Sequence, residues 1–406
     1  MNEILSDMRV VEASAFIAAP YGGLLLAQMG ADVIRIDPVG GGLDHRRWPV
    51  TKEGRSLYWA GLNKGKRSIM LNVRDPEGRE LAQALITQPG PNAGLVITNL
   101  PARGWLDYET LRAKREDLVM VAVVGSRDGR VALDYTVNAA AGFPFATGPP
   151  DHEGPINHVM PVWDVLAGFS VVQALLAAER FRRDTGEGQF ARLALADTAF
   201  ATLSHLGFLA EAEVNGVERP RTGNDVYGSY GRDFETADGR RVMVTAMTVR
   251  HWQALLDATG TTGQMQALEQ RLGADLRREE NRYEARNAIG EILEPWFRAR
   301  SLAEVRAALD AAGACWGPYQ TIAQALVEDP GVSTSSPLFE EIEQPGIGVH
   351  RAAGGIVDFG ALPRKPVRPA PVLGQDTDAV LADVLGLSAA RIGELHDAGI
   401  VAGPLA

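Results

Sequence analysis

The first 125 residues alternate short β-like runs with segments of helical periodicity, and this alternation constrains the fold more than any other feature. Strands that alternate with helices along a chain are typical of βαβ units, which build a parallel sheet. Ligands of such sheets bind beyond the carboxyl ends of the strands. The sequence therefore predicts an α/β fold whose first strands are Arg9–Ala13, Val33–Asp37, Ser68–Asn72, Leu95–Asn99 and Val119–Val124.

The glycines of this region do not form a nucleotide-binding fingerprint. A dinucleotide site requires GxGxxG directly after the first strand, and that motif is missing there. Gly40–Gly42 follow the second predicted strand and open a loop rather than a helix, and the sequence contains no Walker A motif. The chain therefore lacks the two commonest phosphate-binding loops of α/β folds.

Charge and cysteine content narrow the class of protein further. The chain has 406 residues, one cysteine and a formal net charge of −11. At about 100–200 residues per domain, this length favours two domains. The acidic total argues against nucleic acid or an anionic membrane as a partner. A single cysteine, no visible secretory signal and no apolar run of bilayer length predict a cytoplasmic protein.

A change of composition near Arg221 predicts the start of a second domain. Turn residues and short β-like runs follow in "GVERPRTGNDVYGSYGRDFETADGRRVMVTAM", where Asp238–Gly239 is typical of a hairpin turn. Helical patterns then continue as far as Cys315, which we expect to be a small buried thiol. The sequence therefore predicts a small α+β domain over residues 221–315.

An acidic side chain lies at the start of the most apolar helical pattern. Asp164 precedes Val165–Arg183, and this segment ends with basic residues followed by Gly186, as helices commonly do. Aspartate is a favoured N-cap residue, and the helix dipole favours the ionised form of its carboxylate. An ionised, partly dry carboxylate is also a competent nucleophile towards an activated acyl group. Position alone leaves both interpretations open.

Two other polar groups occupy predicted loop positions. Lys64, Lys66 and Arg67 precede the third strand, as either a solvated basic turn or a phosphate contact. Asn99 falls at the carboxyl end of the fourth strand, and Arg103 lies four residues further on. These two residues are either ordinary loop residues or ligand contacts at the edge of the sheet where α/β folds bind ligands.

The histidines do not indicate a metal centre. Seven are scattered along the chain without HExxH or another close ligand spacing. His45 and Arg46–Arg47 follow the glycine run, where they either contact a substrate carboxylate or belong to a solvated loop. We therefore predict no metal site.

Several motifs in order along nearly the whole chain resemble one enzyme family. They are "GADVIRIDPVGGGLDHRRWP", "YWAGLNKGKRSIMLNVRDPEGRE", "VITNLPARG", "DVLAGFSVVQALLAAERFRRDTGEGQ" and "RTGNDVYGSYGRDFETADGR". Together they resemble the class III CoA-transferases, which include formyl-CoA and carnitine CoA-transferases and α-methylacyl-CoA racemases. The resemblance implies an α/β fold with a large Rossmann-like domain, residues 1–220 and 316–406, and a smaller inserted α+β domain, residues 221–315. It also implies an interlocked homodimer.

The same resemblance implies roles for particular residues. Asp164 occupies the position of the family's covalent nucleophile. Contacts to coenzyme A are implied for Phe16, Ile17, Ala18, Asp37, Lys66, Asn99, Leu100, Arg103, Asp134 and Tyr135. Coenzyme A enters as part of an acyl-CoA substrate, so no prosthetic group is expected. Leu133 stands where the racemases have a catalytic histidine, and leucine cannot take a proton, which disfavours racemisation.

The motifs are most similar to family members that move CoA within one molecule. We therefore expect transfer of CoA from the C1 to the C4 carboxyl of mesaconate through intermediates bound to Asp164. One alternative is an intermolecular transferase acting between a dicarboxylic acyl-CoA and a free acid. The other is a CoA-binding regulatory protein that has the fold without the reaction.

Overall fold

The computed structural model describes residues 1–405. Within them the strands are β1 Arg9–Ala13, β2 Asp32–Asp37, β3 Arg67–Leu71, β4 Leu95–Thr98, β5 Val119–Val124, β6 Gln189–Ala194, β7 Gly231–Glu235, β8 Arg241–Thr245, β9 Cys315–Tyr319, β10 Phe339–Gln344, β11 Gly348–Ala353 and β12 Val401–Ala402. The first five confirm the predicted strands to within one residue at each end.

The helices follow the predicted alternation. They are α1 Ala18–Gln28, α2 Leu57–Leu62, α3 Pro76–Ile86, α4 Tyr108–Lys114, α5 Asp134–Ala140, α6 Phe143–Ala146, α7 Val162–Thr185, α8 Leu195–His205, α9 Phe208–Asn215, α10 Val249–Thr259, α11 Thr262–Leu272, α12 Glu279–Glu284, α13 Arg286–Arg298, α14 Leu302–Ala312, α15 Ile322–Glu328, α16 Thr377–Asp383 and α17 Ala389–Asp397. Short 3₁₀ turns occur at Gly104–Leu106 and Pro330–Val332.

The chain forms two compact units. The large unit comprises Met1–Ala141, Val159–Leu209 and Pro330–Ala406, and the small unit comprises Gly142–His158 and Ala210–Asp329. Both ends of the chain therefore belong to the large unit, and the small unit is assembled from two internal segments.

The small unit extends beyond the predicted range of 221–315 for two physical reasons. Strand β9 pairs antiparallel with β8, so the chain stays in this unit beyond Cys315. The segment Gly142–His158 joins it because the Arg221 guanidinium donates hydrogen bonds to the carbonyls of Phe145 (2.7 Å) and His152 (3.1 Å). A prediction from composition cannot detect either contact.

A seven-stranded sheet forms the centre of the large unit, in the order β12-β3-β2-β1-β4-β5-β6. All neighbouring strands are parallel except β12, which pairs antiparallel with β3. The order β3-β2-β1-β4-β5-β6 is that of doubly wound nucleotide-binding folds, and its direction reverses between β1 and β4. The α/β prediction with a mostly parallel sheet is therefore confirmed.

Helices cover both faces of this sheet. Alternate strand residues such as Val11, Ile34 and Val96 share one buried cluster with residues of α3, α4, α16 and α17. Helix α1 packs against β1, β2 and β4 on the sheet, and α7 packs against β4, β5 and β6. Parallel strands with both faces covered are built from nearly continuous apolar runs, as in "VMVAVV" of β5.

Helices α1 and α7 approach each other closely through glycines. A Cβ atom on Gly168 would lie 2.8 Å from Cδ1 of Tyr21, and one on Gly22 would lie 2.8 Å from Cγ1 of Val171. Contacts advance in the same direction along both helices, from Ala18 with Gly168 to Gly22 with Val171, so the helices run parallel. Their N-terminal ends therefore lie at the same edge of the sheet.

Helix α7 is long and apolar enough, by length and composition, to cross a membrane, contrary to the sequence-based expectation that no such segment exists. Helices buried in a domain core pass the same test. Here Ala167, Val171 and Leu175 are fully buried, and the helix packs on α1 and the sheet. Its apolar character is therefore accounted for by packing within the large unit.

The small unit has a three-stranded antiparallel sheet in the order β7-β8-β9. The predicted hairpin at Asp238–Gly239 is confirmed, since it joins the paired strands β7 and β8. Helices α10, α11, α13 and α14 contribute to its apolar core. Cys315 begins the edge strand β9 and its thiol is exposed, so the prediction that it is buried is wrong.

Candidate active site

The point where the strand order reverses lies between the carboxyl ends of β1 and β4. Asn99, the residue after β4, joins the two ends. Its Oδ1 accepts a hydrogen bond from the Ala15 N–H (2.9 Å), and its Nδ2 donates one to the Ala15 carbonyl (2.6 Å). Doubly wound sheets bind their ligands in this crevice. Asn99 therefore lies at the predicted place, with its amide holding the crevice in shape.

The loop that follows β1 forms one side of the crevice. Phe16 has a φ of 62°, and within residues 1–405 it is the only residue other than glycine with a positive φ. Backbone strain of this kind concentrates at ligand sites. Ile17 is the N-cap of α1 and provides no side-chain hydrogen bond, while Ala18 is buried in the first turn. The first-turn N–H groups of α1 therefore lack a side-chain cap at the edge of the sheet where ligands are expected.

Asp164 is the third residue of α7, whose N-cap is Pro161. The side chain that caps this helix is Asp134: its Oδ2 accepts hydrogen bonds from the N–H groups of Trp163 (2.8 Å) and Asp164 (3.1 Å). Asp134 is buried, with 3% of its surface exposed. The interpretation of Asp164 as a helix cap is therefore wrong, and Asp134 acts on the helix rather than standing in an open ligand crevice.

The electrostatic state of Asp164 also differs from expectation. Burial raises the pKa of its carboxyl to about 7, and the negative charge of Asp134 raises the pKa further, while Arg47 lowers it. Desolvation and a like charge both disfavour the ionised form. The expected stabilisation of the carboxylate by the helix dipole is outweighed, so the proton on Asp164 is exchanged near neutral pH.

Helix packing places Asp164 beside the Phe16 loop. Asp164 and Gly168 are four residues apart on α7 and share one face of the helix. Gly168 packs against Tyr21 and the Ala18 carbonyl of α1. Because the two helices are parallel, one turn back from Gly168 brings Asp164 level with the residues that precede Ala18. Asp164 therefore lies at the N-terminal ends of two helices and next to the crevice.

Two side chains from the segment after β2, Arg47 and Tyr58, lie close to Phe16 and Asp164. The guanidinium carbon of Arg47 lies 5.1 Å from the ring centroid of Phe16 and 5.3 Å from that of Tyr58. Arg47 is exposed. The hydroxyl of Tyr58 is buried and has no hydrogen-bond partner within the described part of the chain. Burial raises the pKa of Tyr58, and the nearby charge of Asp164 contributes in the same direction.

A buried ionic network lies behind this site. The Arg35 guanidinium contacts carboxylate oxygens of Glu12 (3.1 Å), Asp37 (2.8 Å) and Asp44 (2.9 Å). The Lys66 ammonium contacts Glu12 at 2.8 Å. The side chains of all five residues are at most 2% exposed. Buried charges of this kind require partners, and here each has at least one.

Two predicted ligand contacts, Asp37 and Lys66, belong to this network. Burial raises the pKa of Asp37 despite the adjacent Arg35, and it lowers the pKa of Lys66 to about 8 although Glu12 opposes that shift. The ammonium of Lys66 also donates to the Pro20 carbonyl (2.8 Å). Both charges are already paired and shielded from solvent, so any influence on a bound nucleotide would act through the network.

The other predicted contacts remain accessible. Leu100 is partly buried after β4 and Arg103 is exposed. Arg103 makes no side-chain ion pair or hydrogen bond among the residues that the structure describes. Tyr135 is 49% exposed, and its hydroxyl donates to the Val159 carbonyl (3.3 Å). Leu133 is 60% exposed and offers no base.

The chemistry available at this site is that of a carboxylate near its pKa, an accessible guanidinium and helix N-terminal amides. Within residues 1–405 no group of three or more His, Cys, Asp or Glu side chains is placed to hold a metal ion. A carboxylate of this kind is suited to nucleophilic attack on an activated acyl group.

Comparison with known proteins identifies the family. The model of CoA-transferase family III matches residues 5–377. The chain belongs to CoA-transferase family III. The resemblance seen in the sequence motifs is thereby confirmed, and members of the family use CoA thioesters as substrates.

Relatives within CoA-transferase family III cover the full chain. The 2-methylfumaryl-CoA isomerase of Chloroflexus aurantiacus is 55% identical over 405 residues, which is 100% of this chain and 99% of that protein. The succinyl-CoA–D-citramalate CoA-transferase of the same organism is 28% identical, covering 95% of this chain and 94% of that protein. Among solved structures, a CaiB/BaiF family protein from Brucella suis superposes with a TM-score of 0.76 at 25% identity, covering 95% of this chain and all of that one.

Sequence reasoning missed two features of this site. Tyr58 lies within one of the family motifs, but nothing in the local sequence identified it as a residue of the site. The role of Asp134 as the cap of α7 joins residues 30 positions apart. Only the general preference of buried helix ends for an acceptor could have suggested such a partner.

Proposed function

We propose that this chain transfers CoA from the C1 to the C4 carboxyl of mesaconate without releasing mesaconate from the active site. The reaction converts 2-methylfumaryl-CoA into 3-methylfumaryl-CoA. The single observation that carries this proposal is Asp164, a partly buried carboxyl with a pKa near 7 at the mouth of the crevice. The full-length identity of 55% to a 2-methylfumaryl-CoA isomerase supports the choice of substrate.

The first half of the reaction transfers CoA to the enzyme. The ionised carboxylate of Asp164 attacks the C1 thioester carbonyl, the C–S bond breaks, and a mixed anhydride and CoA thiolate result. The thiolate then attacks the aspartyl carbonyl of the anhydride, the C–O bond to mesaconate breaks, and an Asp164–CoA thioester and mesaconate dianion form. Each step exchanges one activated acyl group for another, so no additional energy source is required.

The second half returns CoA to the other carboxyl. The C4 carboxylate of mesaconate attacks the Asp164 thioester carbonyl and releases thiolate, which gives a new mixed anhydride. The thiolate attacks the C4 carbonyl and frees the Asp164 carboxylate. If mesaconate stays in the site between the halves, recombination is effectively unimolecular, and effective molarities of such steps can reach about 10⁵ M or more.

We assign the CoA-binding role to the residues that line the crevice. Phe16, Ile17 and Ala18 lie on the β1 side, and Asn99 and Leu100 lie on the β4 side. The uncapped amides at the start of α1 suit a negatively charged group, as helix N-termini generally do.

The five remaining predicted contacts complete this assignment. The exposed Arg103 suits a phosphate, and Tyr135 stands on the same helix α5 that provides Asp134. Lys66 and Asp37 would contribute indirectly, through the buried network.

A second candidate is an intermolecular CoA-transferase that uses a separate donor and acceptor. Relatives named succinyl-CoA–D-citramalate and succinate–glutarate CoA-transferase match 95% and 94% of this chain. Purified protein given mesaconyl-C1-CoA alone separates the two functions. Approach to the equilibrium mixture of C1 and C4 thioesters without added acid supports the intramolecular reaction, and conversion that requires added mesaconate or another acid supports the second candidate.

We further propose a homodimer in the cytoplasm. Exposed apolar side chains lie on three adjacent elements of the large unit, with Phe169 and Phe181 on α7, Phe190 on β6 and Phe200 on α8. Apolar surface of this kind favours a protein partner. Light scattering at micromolar concentration tests this proposal, with twice the chain mass of 43.6 kDa expected. A single-chain mass at that concentration would contradict it.

Trapping during turnover tests the covalent route. Hydroxylamine added with mesaconyl-C1-CoA should convert Asp164 into a hydroxamate that mass spectrometry locates in the α7 peptide. Asp164→Asn should lose at least about 1000-fold in kcat/KM because the nucleophile is removed. The matched control Asp151→Asn changes an exposed acid of the small unit and should keep parental activity. An Asp164→Asn protein with parental activity and no deamidation would refute the mechanism.

A further inference from the structure

We propose that Arg47 binds the carboxylate of the diacid that is not activated and holds mesaconate in the site between the two halves of the reaction. This inference rests on the proposed function, since only an intramolecular transfer requires the freed diacid to stay. Its direct basis is the position of the Arg47 guanidinium over the rings of Phe16 and Tyr58, at the side of the crevice where Asp164 lies.

Arg47 is a cation that is not committed to another partner. Its side chain makes no ion pair and donates no hydrogen bond among the residues that the structure describes, although the residue is exposed. The other cations near the site, Arg35 and Lys66, are paired with carboxylates inside the buried network. Within residues 1–405 Arg103 is also unpaired, but it follows β4, whereas Arg47 lies over Phe16 on the side of the crevice where Asp164 lies. On that side Arg47 is therefore the cation available to an incoming anion.

The backbone of Arg47 is held firmly by its own loop. The carbonyl of Arg47 accepts a hydrogen bond from Oγ of Ser56 (2.6 Å), and its N–H donates to the Asp44 carbonyl (3.2 Å). The carboxylate of Asp44 in turn accepts from Nη2 of Arg35 (2.9 Å) in the buried network. These bonds fix the backbone from which the Arg47 side chain extends over Phe16.

The charges of the reaction explain why such a cation is needed. Mesaconyl-CoA brings a free carboxylate towards Asp164 and Asp134, and after the first half-reaction mesaconate carries two negative charges. Asp164 is uncharged while it is a thioester, but the carboxylate of Asp134 remains beside it. Its charge repels the dianion and favours escape of the diacid before it can attack. A guanidinium resting on aromatic rings presents parallel N–H groups to a carboxylate, a geometry that an ammonium does not reproduce.

Isotope exchange tests retention directly. Purified enzyme converts mesaconyl-C1-CoA in the presence of an excess of ¹⁴C-labelled free mesaconate, and the label in the C4 thioester is counted for each turnover. We expect little label in the product of the parental enzyme and at least tenfold more with Arg47→Ala. Arg46→Ala, which changes the adjacent exposed arginine, should incorporate label at the parental level.

A neutral analogue separates charge recognition from a structural defect. Tiglyl-CoA has a methyl group in place of the free carboxylate of mesaconyl-C1-CoA and keeps the same double-bond geometry. We expect Arg47→Ala to lose about 30–100-fold in kcat/KM with mesaconyl-CoA, the range of one charge-assisted contact. Formation of the Asp164 hydroxamate from tiglyl-CoA should change less than threefold. Arg47→Lys should recover only part of the loss.

The two proposals fail in different ways. If the parental enzyme itself incorporates labelled mesaconate fully, the transfer is intermolecular and the proposed function is wrong. If the parental enzyme excludes label and Arg47→Ala excludes it equally well, the function stands and the role of Arg47 is wrong. An equal loss with mesaconyl-CoA and tiglyl-CoA would also overturn that role, because it would indicate a general effect on the site.

Discussion

The large unit contains two groups of acidic side chains that differ in the charge of their nearest partners. Glu12, Asp37 and Asp44 are almost completely buried, and each lies within 3.1 Å of a guanidinium or ammonium nitrogen. Asp164 faces another carboxylate, Asp134, and within residues 1–405 has no cation at ion-pair distance. The first arrangement fixes charges as part of the structure, whereas the second leaves one carboxyl with a pKa near neutrality.

Burial alone therefore does not identify a reactive acid. Both groups are desolvated, and in both burial raises the pKa of a carboxyl, Asp37 in one and Asp164 in the other. The difference is the partner: Arg35 opposes the shift at Asp37, while Asp134 adds to it at Asp164. Perturbed pKa values combined with an accessible crevice are typical of functional sites.

The largest effect is expected from breaking the paired group. Arg35→Met removes the cation shared by three buried carboxylates and should lower the free energy of unfolding by about 3–5 kcal/mol. Urea denaturation measures this change. Arg127→Met, which removes an exposed ion pair with Asp197, should leave the midpoint unchanged. Equal midpoints for the two variants would show that the network is not structural.

The opposite sign is expected for the unpaired acid. The pKa of Asp164 rises from 3.8 in the unfolded chain to about 7 in the folded protein. The folded state therefore binds the proton more tightly, and its stability falls as pH rises from about 4 to 7. Asp164→Asn removes this cost and should stabilise the protein by about 1–3 kcal/mol above pH 7, less than the full shift because the carboxyl is partly exposed.

Denaturation of both proteins at pH 4 and pH 8 measures the difference. The stabilisation by Asp164→Asn should be present at pH 8 and vanish near pH 4, where the carboxyl is protonated in both states. A variant that is equally or less stable than the parent at pH 8 would contradict the unpaired character of Asp164.

A smaller effect should follow when the charge of Asp134 is removed but its cap is kept. The parental kcat/KM should rise with pH through a midpoint of about 7, because the ionised Asp164 is the nucleophile. Asp134→Asn retains an oxygen acceptor for the start of α7 and should shift this midpoint to lower pH. The free energy of unfolding should change by at most about 1 kcal/mol. An unshifted midpoint would show that Asp134 acts only as a cap.

The smallest effect is expected for Arg103 and Lys66, two cations that the family motifs predict to contact CoA. Arg103→Ala should raise the KM for the CoA thioester roughly fivefold and leave stability unchanged, because an exposed phosphate contact contributes little. Lys66→Met should mainly lower stability, because Glu12 loses a buried partner. Steady-state kinetics and denaturation of both variants test this division. A raised KM at normal stability in Lys66→Met would place Lys66 at the ligand.

Short sequence patterns were sufficient to predict many of the strands and turns of this protein. The strands from Arg9–Ala13 to Val119–Val124 and the hairpin at Asp238–Gly239 were predictable because side-chain periodicity and turn chemistry act over a few residues. The position of Asp164 at the start of α7 followed from the same kind of pattern. Motif order along the chain was sufficient to indicate the family.

Only the tertiary structure decided which charged residues are available for chemistry. The sequence presents Lys66 and Arg47 as similar basic loop residues, yet one is paired inside the network and the other is exposed beside Phe16. It also cannot show that Asp134 caps α7 and raises the pKa of Asp164. Desolvation and charge pairing depend on distances between residues far apart in the chain, and those distances exist only after the sheet and helices have packed.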